Sequence, residues 1–263
     1  MLIISMIGQT LDKRYKIIRK LGSGGFGEAF LAKDISLHGI FCVVKQLKPI
    51  DKSEQVLKIA RRLFVTESET LLRLGKHDQI PTLLAHLEKG KDFFLVQEFV
   101  DGHPLSAEIK ANQPWAVDDV IDLLASVLDP LAFTHANNTI HRDIKPDNLM
   151  RRHSDGEVVL IDFGAVKEVI NSSSITQGQA VFTVGIGTPG YMPVEQAQGN
   201  PKFSSDIYAL GVTCIQSLTG LSIENLDTTS WRHLASVDAN LADILDRMVQ
   251  YDYRHRYTSG TEA

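Results

Sequence analysis

Between Ile140 and Met150 the chain reads "IHRDIKPDNLM". His141, Arg142 and Lys145 are cations or potential cations, Asp143 and Asp147 are carboxylates, and Asn148 adds an amide around Pro146. Apolar residues close both ends, and a second apolar run, "EVVLIDFG", follows and carries Asp162. Charges at the mouth of a core are costly unless they pair or bind something charged, so this knot is expected to hold a charged ligand.

A second candidate lies near the start. "LGSGGFGEA" places Gly22, Gly24 and Gly27 in a G-x-G-x-x-G pattern. Without a Cβ, such a backbone can approach phosphate closely, but the same glycines also suit a hairpin turn, and the pattern alone divides evenly between the two. A dinucleotide fold would need a helix directly after the glycines and an acid about twenty residues on. A strand-like segment follows instead, and "CVVKQL" brings Lys45. Glycines bridging two strands as a flap, with a lysine on the next strand, suit a nucleotide beneath the flap. Lys45 then needs a partner. In "FVTESETLL", Glu67 follows Phe64 by one helical turn and precedes Leu71 by another, which puts it beside the apolar stripe, whereas Glu69 points more toward solvent.

The elements that position these residues change character along the chain. Up to about Phe99, "YKIIRKLG", "GEAFLAKD", "FCVVKQL" and "FFLVQEF" read as short strands separated by turn formers. One helix interrupts them between Ser53 and Leu74, where apolar residues including Phe64, Leu71, Leu72 and Leu74 recur at helical spacing. From Pro114 onward the pattern is chiefly helical. Val120, Ile121, Leu123, Leu124, Val127, Leu128 and Leu131 mark one long helix, and "SDIYALGVTCIQSLTG" marks another ended by Gly220. "VDGHP" between the two regions reads as a hinge. A small strand-rich lobe joined to a larger helical lobe leaves a cleft, where a ligand is expected.

Composition bounds the alternatives. With 263 residues, 43% of them hydrophobic, the chain can bury one large domain or two lobes. A formal charge of -5 and a pI near 6.0 give no basic excess, which argues against nucleic acid as an obligate partner. Cys42 and Cys214 stand in apolar company, as small buried hydrophobes of a reducing cytoplasm do. "MLIISMIG" lacks a basic leader and is too short for a membrane span.

With "LGSGGFGEA", "VVK", "IHRDIKPDNLM", "IDFG" and "GTPGYMPVEQ" in this order, the sequence resembles the eukaryotic-like serine/threonine protein kinases from about Tyr15 to Arg256. "GGFGEAFLAKD" and "FFLVQEFVDGHPL" look closest to bacterial members, notably cyanobacterial ones. The resemblance implies an α+β, two-lobed protein kinase fold: an extension over 1–14, a small strand-rich N-lobe with one helix over 15–100, and a larger, mainly helical C-lobe over 101–263. It implies ATP and Mg2+ as cofactors and protein substrates bearing serine or threonine. It implies no nucleic acid, no membrane contact from this segment, and no particular oligomeric state.

Residue by residue, the resemblance makes Asp143 the group that orients the acceptor hydroxyl. Lys145 reaches the transferring phosphoryl group, and Thr188 bridges Lys145 to Asp143. Asn148 and Asp162 become magnesium ligands. Leu21, Gly22, Ser23, Gly24, Gly25, Phe26, Gly27 and Ala29 cover the nucleotide. Lys45 holds its phosphates, steadied by Glu67, while the backbone of Glu98 and Val100 meets the adenine and Gln97 guards the pocket behind it. His141 is a structural hydrogen-bonding residue, and Asp206 receives N–H groups from the "HRD" loop, beside a helix start capped by Ser204 or Ser205. Arg142 and Lys167 would share a phosphate on Thr183, with Thr176 and Ser172 to Ser174 less favoured.

Three departures qualify this. Ala29 stands where the family usually has valine. "PVE" replaces "APE", although Glu195 remains to pair with Arg256. Pro130 falls inside the long helix, where proline costs about 3 kcal/mol, with no functional account. A catalytically silent scaffold and a small-molecule kinase are the rival readings. The ending "RHRYTSGTEA", in which Thr258 or Ser259 begins what looks like a capped helix, leads to the expectation that the chain is the catalytic segment of a longer protein.

Overall fold

The computed structural model describes residues 6–24, 27–47, 54–163 and 187–263, which form two compact units, Met1–Val100 and Asp101–Ala263. Gly25, Phe26, Lys167, Thr183, Thr176 and Ser172 to Ser174 lie outside the described residues.

In the first unit, β1 (Thr10–Leu11), β2 (Tyr15–Gly24), β3 (Gly27–Asp34), β4 (Ile40–Leu47), β5 (Leu83–Lys89) and β6 (Asp92–Glu98) build an antiparallel sheet in the order β1-β2-β3-β4-β6-β5. Its strands alternate with period two. Ile17, Phe30, Ala32, Cys42, Val44, Phe94 and Val96 share one cluster with Leu11 and Tyr15. Phe93, on the opposite face of β6, meets Phe64 of helix α1 (Glu54–Leu74) with ring centroids 5.1 Å apart. Burial on both faces explains why "FFLVQ" reads as an unbroken apolar run. Two strands of this sheet escaped the pattern. β1 is only two residues long, and it joins residues of the expected extension to the sheet through Thr10 and Leu11. β5 is an edge strand in which exposed residues dilute the alternation.

In the second unit, α2 (Val117–Ala136), α3 (Val194–Ala197), α4 (Phe203–Thr219) and α5 (Ala239–Met248) accompany a three-stranded antiparallel sheet of β7 (Gly102–Pro104), β8 (Leu149–Arg152) and β9 (Val158–Leu160). The segment expected to be a hinge therefore contributes a strand: Gly102, His103 and Pro104 pair with Arg152, Arg151 and Met150. α4 buries residues all round, among them Ile207, Leu210, Val212, Cys214 and Ile215. It ends at Gly220, whose φ of 63° is left-handed and whose missing Cβ would lie 2.9 Å from the Pro114 nitrogen. Its start differs from expectation. Lys202 is the N-cap, and the Ser205 hydroxyl accepts the Lys202 N–H from inside the first turn at 3.0 Å.

Both predicted stripes have edges that spacing does not show, since Leu72 is 54% and Ile121 44% exposed. Pro130 lies within α2 and is buried. It cannot donate to the Ser126 carbonyl, one turn back. The Ser126 side chain instead ties α2 to the strand beside it, donating to Glu157 at 2.8 Å and accepting from the Val158 N–H at 2.9 Å.

Candidate active site

The knot that opened the sequence runs into β8, and β9 leads out to Asp162. The β8–β9 register pairs Leu149 with Leu160, and the Ile161 N–H donates to the Asn148 carbonyl at 3.0 Å. A short hairpin thus brings Asn148 alongside the Asp162 segment. Pro146, with its φ already fixed, opens a single 3-10 turn over Pro146–Asn148, closed by Asn148 N–H to the Lys145 carbonyl at 2.9 Å.

Asp143 is held from both sides. The Asn148 side-chain amide donates to Asp143 Oδ2 at 2.8 Å and to its backbone carbonyl at 2.8 Å. Thr188 Oγ1 donates to Asp143 Oδ1 at 2.9 Å and accepts from Lys145 Nζ at 2.6 Å, while Lys145 Nζ also lies 3.2 Å from Asp143 Oδ2. The result is a closed triangle of carboxylate, ammonium and hydroxyl that joins positions 45 residues apart. Because its nitrogen is committed to Asp143, Asn148 turns its oxygen away from that bond, so the pair Asn148 and Asp162 offers oxygen donors of the kind a hard divalent cation takes.

Beneath this triangle the backbone is strained. Arg142 has φ 69° and Asp162 φ 68°, left-handed conformations that non-glycine residues adopt only when their surroundings enforce them. For Arg142 the enforcement comes from both ends of the residue. Its N–H donates to Asp206 Oδ1 at 2.8 Å, and its carbonyl accepts from the Gln196 amide at 2.6 Å. Asp206 is 1% exposed; its Oδ2 also accepts the His141 N–H at 2.8 Å and lies 3.0 Å from His135 Nε2, whose Nδ1 accepts the Gly260 N–H at 3.0 Å. Gly187 makes room for Gln196, because a Cβ there would lie 2.6 Å from the amide nitrogen.

His141 is fully buried. Its Nε2 lies 3.0 Å from the Ile161 carbonyl and its Nδ1 3.4 Å from the Asp143 N–H, which fixes a neutral ring with the hydrogen on Nε2. Burial holds its pKa below the ordinary histidine value, and burial likewise pulls the Arg142 guanidinium down. Neither His135 nor Gln196 was expected from the sequence. His135 is signalled only as a polar side chain near the end of a largely apolar helix, and nothing in "VEQA" singles out Gln196.

In the first unit, Gly22, Ala29, Lys45 and Leu95 lie in register across β2, β3, β4 and β6. A Cβ on Gly22 would meet no atom within 4 Å, so that backbone is open to close approach. Gly27 is a glycine for another reason, since a Cβ there would lie 1.8 Å from the Gln46 carbonyl oxygen on β4. Leu21 is 40% exposed and Ser23 is exposed, with Ser23 opposite Glu28 and Gly24 opposite Gly27. Glu67 is 8% exposed on α1, whereas Glu69 is exposed. Gln97 is 5% exposed on β6, and the Glu98 N–H donates to the Thr82 carbonyl at 2.9 Å. Val100, half-buried, ends this unit.

Glu195 and Arg256 pair as the altered "PVE" segment left room for, 2.7 Å apart and buried. Tyr191 donates to Gln216 at 2.5 Å, and burial pushes its phenol up to about 12.

A strand-rich unit with one helix, a helical unit, and the cluster of Asp143, Lys145, Asn148 and Thr188 at the end of a β-hairpin are features of a protein kinase domain. Residues 15–262 match the protein kinase domain, and the chain belongs to that family. Serine/threonine-protein kinase PknA of a Nostoc species is 43% identical over 263 residues, covering 97% of this chain and 47% of that protein. Serine/threonine-protein kinase B of a Synechocystis species is 42% identical over 263 residues, covering 96% of this chain and 46% of that protein. The chain therefore spans about half the length of the curated relatives it matches. The crystal structure of the Mycobacterium tuberculosis PknI kinase domain shares the fold, with a TM-score of 0.73 at 23% identity, covering 97% of this chain and 95% of that one. Among the described residues, no helix is long and apolar enough to cross a membrane.

Proposed function

We propose that this chain transfers the γ-phosphoryl group of ATP to serine or threonine hydroxyls of protein substrates. The observation that carries this reading is the Asp143–Lys145–Thr188 triangle, with bonds of 2.6 and 2.9 Å. Asp143 accepts the hydrogen bond of the acceptor hydroxyl and orients its oxygen for attack, a contribution of about 10²- to 10⁴-fold. Thr188 and Asn148 fix the carboxylate for that task. Lys145 offsets negative charge on the group in transit. Magnesium, when bound, neutralises charge on the nucleotide's phosphates, and Asn148 and Asp162 are its side-chain ligands.

The first unit supplies the nucleotide contacts. Leu21, Gly22, Ser23, Gly24, Gly25, Phe26, Gly27 and Ala29 cover it, and Lys45, steadied by Glu67, takes its phosphates. The Glu98 carbonyl and Val100 N–H meet the adenine edge, since the Glu98 N–H is used by Thr82. Ala29, smaller than the family's usual valine, leaves a thinner roof over the base.

Radiolabelled phosphate transfer to a generic protein, run beside a panel of sugars and amines, tests the reading. Labelled phosphoserine or phosphothreonine is expected. Label on the small molecules alone would reassign the substrate class, and no transfer to anything would favour a scaffold.

The same reading extends to regulation. Thr183 accepts a phosphate that Arg142 and Lys167 share, adding nearly two negative charges to the segment that ends at Thr188. Mass spectrometry after incubation with ATP should find Thr183 modified, and Thr183→Ala should lose the gain in peptide phosphorylation. An active enzyme left unmodified there would overturn this part.

A further inference from the structure

Two neighbouring residues of α3 hold different parts of the second unit. Glu195 pairs with Arg256 at 2.7 Å and accepts from the Ser205 hydroxyl at 2.7 Å, which fastens α3 to the start of α4 and to the chain's last turns. Gln196 reaches the catalytic loop instead, and its Nε2 donates to the Arg142 carbonyl at 2.6 Å. Both side chains are buried. With only four residues, α3 is too short to hold itself, so these tertiary bonds set its place.

The bond from Gln196 lands on one particular peptide. The Arg142 carbonyl and the Asp143 N–H share a plane, and the setting of that plane decides where the Asp143 side chain points. Its N–H end lies 3.4 Å from His141 Nδ1, at the long limit of hydrogen bonding, so the firm hold is the 2.6 Å bond at the carbonyl end. On the other side of the residue, the Arg142 N–H is fixed by Asp206 Oδ1 at 2.8 Å. A left-handed residue set between two such bonds, with φ 69°, cannot relax to an ordinary conformation without giving one of them up.

The segment before α3 is shaped around this contact. Gly187 has φ 142°, and a Cβ there would lie 2.6 Å from Gln196 Nε2 and 2.9 Å from Met192 Sδ. Gly187 directly precedes Thr188, whose hydroxyl donates to Asp143 Oδ1 at 2.9 Å. Residues 187–196 therefore grip Asp143 twice, on its carboxylate through Thr188 and on its peptide through Gln196.

We infer that Gln196 is a positioning residue for phosphoryl transfer. By holding the peptide between Arg142 and Asp143, it sets the direction in which Asp143 presents its carboxylate to the acceptor hydroxyl, from a base that the Glu195–Arg256 pair keeps still. This role rests on the proposed kinase activity.

Gln196→Met keeps the length of the side chain and removes the amide donor. Its kcat for a peptide bearing serine or threonine should fall about tenfold, the loss expected for one buried hydrogen bond, while KM for ATP and for peptide stay within about twofold. Asp143→Ala alone should leave a residual rate about 10²- to 10⁴-fold lower. Adding Gln196→Met to it should change that residue of activity by less than about twofold, because the group being positioned is gone. Equal falls in the two backgrounds would mark an ordinary packing role and overturn the inference, as would a wild-type kcat in Gln196→Met or a rise in peptide KM alone. Amide hydrogen exchange reads the contact without any transfer. In Gln196→Met, protection of the Arg142 N–H should drop at least about tenfold, while that of the Ile161 N–H, bonded to the Asn148 carbonyl at 3.0 Å, stays unchanged. Unchanged protection at Arg142, or an equal drop at both amides, overturns the inference whatever the activity. A wild type that transfers no phosphate would instead overturn the proposed function, and the exchange result would still decide whether Gln196 holds the loop.

Discussion

Glu195 and Arg256 meet at 2.7 Å inside the second unit although 61 residues separate them. They are 4% and 2% exposed, so neither charge is screened by solvent. Arg256 also donates to the Gln250 carbonyl at 2.5 Å, the Tyr251 carbonyl at 3.0 Å and the Ser204 carbonyl at 3.3 Å. Glu195 Oε1 in turn accepts from Ser205 at 2.7 Å. The pair ties α3 to the start of α4 and to the chain's last turns.

Removing one member of a fully bonded buried pair leaves the other charge without compensation, at a cost of about 3–5 kcal/mol. Arg256→Ala should therefore lower the urea midpoint by the equivalent of that loss. A loss under about 1 kcal/mol, the range of an ordinary surface substitution, would mean the pair does not hold these elements together.

Thr188→Val keeps the shape of the side chain but removes the hydroxyl that bridges Lys145 to Asp143. A hydrogen bond to a charged group contributes about 1.5–3 kcal/mol. The expected fall in kcat is thus roughly 10- to 100-fold, with KM for ATP little altered. Thr188→Ser should recover most of the rate. If Thr188→Val turns over at the wild-type rate, the bridge has no part in the reaction.

Lys45→Met and Asp162→Ala should each abolish measurable transfer while leaving the melting transition close to that of the wild type. In the proposed function, both variants remove charge assigned to phosphate or magnesium rather than core packing. Near wild-type turnover of either variant at saturating ATP and magnesium would refute the assigned site.

His141 sets a pH dependence of known sign. Its pKa in the folded chain lies below the ordinary 6.5, because burial disfavours the charged ring. Above pH 6.5 the ring is neutral in both states and its contribution to stability is fully present. As pH falls below that value, the unfolded chain takes up a proton that the folded one resists, so stability declines by up to about 1.4 kcal/mol per pH unit. Stability measured from about pH 7 to 5 should fall for the wild type and fall less steeply for His141→Gln, whose amide can still reach the Ile161 carbonyl. Parallel curves for the two proteins would remove His141 from this role.

Much of the site was legible because it is local. Asp143, Lys145 and Asn148 occur within six residues of one loop, and the backbone turn begun by Pro146 is enough to set their spacing. The strands read correctly where alternation was strong, as in "GEAFLAKD", and failed where a strand was short or lay at an edge, as in β1 and β5. The serines before α4 look like caps in the sequence. In the fold, Ser205 bonds both Lys202 and Glu195, and the second of those partners is supplied by α3.

The order of motifs, the helical and strand periods, and the residue types of the knot were determined by the sequence itself, since each depends on neighbours a few positions away. The resemblance already pointed to Asp206 as a brace of the knot, but only the tertiary structure decided the rest of that bracing. Asp206 bonds Arg142 from 64 residues away, and Gln196, which the sequence did not signal, bonds it from 54. Those bonds force Arg142 into a left-handed conformation that no local propensity favours. Such partners are chosen by which helices pack together, because a buried donor must take whatever acceptor the packing delivers within about 3 Å.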